Sequence, residues 1–81
     1  MSQKEKLLQK IINNPNDVRF DDLCNILNWR GWIVSTTSSS HYTYEKKESN
    51  RVVERVTIVK RSDGKVLPCY VREVLKRMGE I

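Results

Sequence analysis

The sequence predicts an α+β domain of two layers, in which three helices pack on a three-stranded antiparallel sheet in the order α-α-β-β-β-α. Three observations predict it. Apolar residues recur at helical spacing near both ends of the chain. The middle stretch, from Trp32 to Lys60, is rich in β-branched and aromatic residues with period-two alternation. Turn-forming residues stand where one pattern gives way to the other. Eighty-one residues, 38% of them hydrophobic, suffice for one core and not for two, so residues 1–81 are expected to form a single domain.

Leu7, Leu8, Ile11 and Ile12 mark the first helix, which Asn13-Asn14-Pro15-Asn16 stops with residues that favour turns. Phe20, Leu23, Cys24, Ile26 and Leu27 mark the second. Asp21 and Asp22 sit where the positive end of its dipole favours acids, and Gly31 closes it. Trp32-Ile33-Val34 starts the first strand, Ser35 to Ser40 reads as a serine-rich turn, and His41-Tyr42-Thr43-Tyr44 alternates as the second strand. Lys46 to Arg51 reads as a charged connector, and Val52 to Lys60 as the third strand with Val52, Val56 and Ile58 facing one way. After the turn Ser62-Asp63-Gly64, the last helix begins near Pro68, buries Val71, Val74, Leu75 and Met78, and ends at Gly79. Tyr42 and Tyr44, with Trp32 and Val34 nearby, favour the tyrosine face of the sheet as the core face. His41 is then left on the open side or rim.

Fifteen Lys and Arg against ten Asp and Glu give a net charge of +5. Residues 1–28 are balanced, four against four, and residues 29–81 carry eleven against six, so the whole excess lies in the later part. A localised basic excess is the footprint of a polyanion partner, nucleic acid before membrane surface, because binding releases counterions. No apolar run approaches the roughly 20 residues of a membrane span, and the N-terminus has no signal-peptide pattern, so a cytoplasmic protein without membrane contact is expected. Cys24 and Cys69 lack metal-ligand spacing and the chain has one histidine, so neither a metal site nor a cofactor is expected. Cys24 falls among buried helical positions, and Cys69 lacks a histidine partner; both read as structural.

His41 is the one side chain of a type that titrates near neutral pH, and it follows three serines. Ribonucleases that use the RNA 2′-hydroxyl as nucleophile need a base for its proton, a donor for the leaving oxygen, and cations or amides around the phosphate. One histidine with lysines and backbone amides can supply these without metal. A Ser-His nucleophile pair would further require an orienting carboxylate and an oxyanion hole, and nothing nearby identifies either.

The ordered set Val18-Arg19-Phe20-Asp21-Asp22-Leu23 with Leu27, Gly31-Trp32, Ser39-Ser40-His41, Val56-Thr57-Ile58, Gly64-Lys65, and Pro68 through Val71-Arg72, Val74-Leu75 and Gly79 spans most of the chain. It resembles the HicA toxin family, the mRNA interferase half of HicAB toxin-antitoxin modules. The resemblance implies a fold similar to a double-stranded RNA-binding domain and a histidine, here His41, essential for cleaving mRNA. It also implies a HicB-like antitoxin that covers the site of a toxin monomeric when free. On this reading Ser39, Ser40 and the turn amides position phosphate, while Lys46, Lys47, Lys60 and Lys65 hold the RNA backbone. Two departures bear on it. Ser39 stands where the family has glycine, and Thr36 and Ser38 stand where relatives often carry Arg or Lys, which lowers the positive charge beside His41. The alternatives are an inactive HicA relative or a non-catalytic duplex-RNA-binding module. The module would want lysines at the start of the last helix, where Val66 to Val71 is uncharged. A winged-helix DNA binder is disfavoured by residues 20–29, which hold two acids and no base.

Overall fold

The computed structural model describes residues 2–81 and has the expected architecture, helix-helix-three strands-helix, with all three helices on one side of an antiparallel sheet. Helix α1 (Gln3–Asn13) is capped by the Ser2 hydroxyl, which accepts from the Glu5 amide at 3.1 Å. Helix α2 (Phe20–Trp29) and helix α3 (Pro68–Arg77) complete the helical layer. Pro68 sits in the first turn of α3, where its missing amide costs nothing, and Gly31 and Gly79 follow α2 and α3 with φ of 89° and 78°, the left-handed backbone that ends a helix.

Two short strands escape the sequence reading. Strand β1 (Val18–Arg19) pairs antiparallel with β5 (Lys65–Val66), aligning Val18 with Val66 and Arg19 with Lys65. Two residues are too few to display an alternation. The main sheet runs in the order β2 (Ile33–Ser38), β3 (His41–Glu48), β4 (Arg51–Val59). Two stretches expected as irregular are strand instead. The serine-rich turn shrinks to Ser39-Ser40, because Thr36, Thr37 and Ser38 pair with Thr43, Tyr42 and His41. The charged connector shrinks to Ser49-Asn50, because Lys46, Lys47 and Glu48 continue β3. Polar residues satisfy strand geometry where both faces meet water, and here they do: every residue of β2 is exposed.

The core lies between the helices and the tyrosine face. Leu23, Ile26 and Leu27 of α2, Val71, Val74 and Leu75 of α3, Trp32, and Val56 and Ile58 of β4 are buried together with Tyr44. Tyr42 packs at the margin, its ring 4.6 Å from that of Phe20. Val34 does not join them: it faces the same way as Tyr44, its cross-strand partner, but lies on the edge strand, beyond the reach of the helices. Val52 also departs from expectation. The β3–β4 register slips between Lys46–Glu54 and Lys47–Val52, leaving Val53 as an extra residue. A side-chain period of two means that one extra residue moves the preceding positions to the opposite face, and Val52 is exposed while Val56 and Ile58 are buried.

Candidate functional site

His41 begins β3 at the lip of the sheet, opposite Ser38 of β2 on one side and Val59 of β4 on the other, and it is exposed. Alternation along β3 sets His41, Thr43 and Glu45 on the open face, away from Tyr42 and Tyr44. On that face the Thr43 and Thr57 hydroxyls share a hydrogen bond of 3.0 Å, and Glu45 is neutralised by Arg55 at 2.9 Å.

The loop before His41 has two residues. Ser39 has φ of 57°, a left-handed backbone that favours glycine, so the serine adopts the conformation for which glycine is the usual residue. Ser40 then anchors the loop: its carbonyl accepts from the Lys60 amide at 2.9 Å. The Lys60 ammonium lies 5.3 Å from the centre of the Phe20 ring, on the helical side of the strand ends, opposite the side that carries His41.

The anticipated binding residues separate into two groups. Ser39, Ser40, His41 and Lys60 come together at one end of the sheet. Lys65 is near them through β5, because Lys60 forms a lone backbone bridge with Val66; its ammonium is paired with Asp17 at 2.7 Å, and this contact holds the Asp17 carboxyl below the usual carboxylate range. Lys46 and Lys47 stand at the far end of β3, about 17–20 Å from His41 at 3.3–3.4 Å per residue. They do not join the site. Thr36 and Ser38 lie on β2 beside the lip and contribute hydroxyls in place of charge.

Neither cysteine takes part. Cys69 is exposed at the start of α3, and the Cys24 thiol, half-buried on α2, meets the Tyr44 hydroxyl beneath the sheet. Burial pushes the Cys24 thiol up, and burial followed by the Cys24 contact pushes the Tyr44 phenol up. Both are therefore held neutral as part of the core. Among the described residues no cluster of three His, Cys, Asp or Glu side chains is arranged to hold a metal ion, and no helix is long and apolar enough to cross a membrane.

The fold and site define a class, a small α+β domain with one exposed histidine at a hairpin lip beside a basic strand end. No protein-family model, curated protein or solved structure matches the chain.

Proposed function

We propose that the protein is a metal-independent endoribonuclease of the HicA type, the toxin of a toxin-antitoxin pair, acting on mRNA and neutralised by a HicB-like antitoxin. The observation that carries the reading is the position of its one imidazole. His41 is exposed at the lip of the sheet, next to a two-residue loop whose far side is pinned to the backbone of Lys60.

In the reaction, the RNA 2′-oxygen attacks phosphorus, the bond to the 5′-oxygen breaks, and the products are a 2′,3′-cyclic phosphate and a 5′-hydroxyl. His41 either takes the proton of the 2′-hydroxyl or gives one to the leaving 5′-oxygen, and water makes the other transfer. Ser39, Ser40 and the loop amides face the phosphate, and the Lys60 ammonium supplies positive charge from the other side of the strand ends. A fold like that of a double-stranded RNA-binding domain and a cytoplasmic location belong to the same proposal.

His41→Ala tests it. Cleavage of RNA by the purified chain should fall about a hundred- to ten-thousandfold, the usual share of general acid-base catalysis. Growth arrest on expression should disappear with it. An alanine variant as toxic and as active as the parent overturns the assignment. One second reading, an inactive relative, is favoured by the register itself: the cross-strand neighbours of His41 are Ser38 and Val59, and neither is a carboxylate that could orient the ring. RNA binding without cleavage by the parent chain would establish that reading.

A further inference from the structure

The two sheets are joined at one place. Lys60, just past the end of β4, bridges to Val66 of β5, and Val66 pairs with Val18 of β1. Together with the Ser40 carbonyl on the Lys60 amide, these contacts set four backbone segments side by side across the end of the molecule, in the order Ser40, Lys60, Val66, Val18. At the usual strand spacing of about 4.8 Å the row spans about 14 Å.

Its outward side chains are basic. Val18 and Val66 are turned into the core, so the alternate positions, Arg19 and Lys65, point outward, directly opposite each other across the β1–β5 pair. Like charges placed opposite one another on adjacent strands destabilise the pairing. Asp17 answers only Lys65, and Asp63 answers Arg61 at 3.2 Å. Among the described residues neither Arg19 nor Lys60 has a carboxylate partner within ion-pair distance. Asp21 and Asp22 follow Arg19 in the first turn of α2, yet neither is within ion-pair distance of it, so Arg19 stands as an unpaired cation opposite Lys65. At the far end Arg55 is paired with Glu45 and Arg77 with Glu54 and Glu73, and the cations left unpaired there among the described residues, Lys46, Lys47 and Arg51, stand a strand's length from the imidazole.

We infer that Arg19 and Lys65, on the outward side of this row of segments, bind phosphate and carry the RNA backbone across the strand ends beside His41, with Arg19 as the outermost contact; Lys60, paired with Val66, is turned to the helical side and is not part of it. This rests on the proposed ribonuclease reading and names the part of the surface that holds its substrate. Arg19 belongs to the charge-balanced first third of the sequence, and only the β1–β5 pairing brings it here. The occupant is single-stranded RNA, because attack by the 2′-oxygen needs an in-line geometry that a regular A-form helix does not offer. The contacts are with phosphates, so they set affinity and position without reading sequence.

The test uses the full chain carrying His41→Ala, which should bind without cutting, and a fluorescently labelled single-stranded oligoribonucleotide followed by anisotropy across a salt series. Arg19→Ala should weaken binding severalfold and reduce the slope of log affinity against log salt by about 0.7, the loss of one phosphate contact on a single strand. Asp17→Asn should act in the opposite direction, tightening binding by removing the negative charge beside Lys65. Lys76→Ala, an exposed lysine on α3, serves as the charge-matched control and should change neither quantity. In the chain that retains His41, Arg19→Ala should raise KM and leave kcat within about twofold.

Arg19→Ala binding as tightly as the parent overturns the row, as does an equal loss from Lys76→Ala, tighter binding to duplex than to single strand, or an effect of Arg19→Ala confined to antitoxin binding. Any of these with His41→Ala still abolishing cleavage removes the row and leaves the ribonuclease reading standing. A parent chain that neither binds nor cuts RNA removes both.

Discussion

The two ends of the main sheet are built alike and used differently. Each has a two-residue loop with left-handed backbone, Ser39-Ser40 at one end and Ser49-Asn50 at the other, where φ is 52° and 65°. At the Ser49 end the sheet is bulged at Val53, and Arg55 and Arg77 are tied into ion pairs with Glu45, Glu54 and Glu73, while among the described residues Lys46, Lys47 and Arg51 have no ion-pair partner. At the Ser39 end the sheet is joined to a second ribbon, the imidazole is exposed, and among the described residues Arg19 and Lys60 have no carboxylate within ion-pair distance. The count of +5 conceals this contrast. Positive charge available to a polyanion depends on which cations the fold has already neutralised and on where the others stand, and only at the Ser39 end do unpaired cations stand beside the imidazole.

The largest stability effect should separate two residues of β4 that the sequence assigns to one face. Ile58, fully buried towards the Ser39 end, should cost about 2–5 kcal/mol when changed to alanine, through lost burial and the cavity left behind. Val52, turned outward by the bulge, should change stability by about 0.5 kcal/mol or less under the same substitution. Denaturant midpoints measure both. Similar losses at the two positions would mean that the strand continues in register through Val53 and that the two ends are not distinguished by a bulge.

The helices and the strands around Tyr44 were legible because their residues make their own patterns: Leu23, Ile26 and Leu27 at helical spacing, Tyr42 and Tyr44 at strand spacing, Pro68 at a helix start. His41 was legible as a candidate because it is the one histidine, and its exposed position follows from standing out of phase with the tyrosines. What was not legible depends on distant pairing. The strand character of Thr36 to Ser38 comes from partners on β3, the reversal of Val52 from a register slip, and the place of Arg19 from a partner 46 positions later, Lys65. No local pattern encodes those contacts. The same limit explains the scatter of the binding residues, since Lys46 and Lys47 are near His41 in sequence yet lie at the other end of an extended strand.

A second, smaller effect concerns the contact between α2 and the sheet at mid-strand. The Tyr44 phenol and the Cys24 thiol are both pushed above their ordinary values of 10.0 and 9.0. A group whose folded pKa is raised contributes stability that is fully present below the unfolded value and is lost as pH rises through the folded one, because the unfolded chain releases its proton first. Stability should therefore decline as pH rises beyond about 9. Tyr44→Phe removes the phenol that must stay protonated, so its decline in stability at high pH should be shallower than that of the parent. Equal slopes in chemical denaturation at pH 7, 9 and 10 would show that the phenol is not held neutral by the fold.

The smallest predicted effect returns to the Ser39 loop. A non-glycine residue in left-handed backbone costs about 1–2 kcal/mol, while glycine gives back about 0.5–1 kcal/mol because the unfolded chain becomes more flexible. Ser39→Gly should therefore stabilise the domain by about 0.5 kcal/mol, read as a small rise in the denaturant midpoint. Its effect on RNA should be the more instructive result. Removing the side chain lets the backbone approach phosphate more closely, so cleavage per bound substrate should rise while the salt dependence set by Arg19 and Lys65 stays the same. If Ser39→Gly instead lowers cleavage, the serine hydroxyl is itself a phosphate contact, and the loop is adapted to serine rather than strained by it.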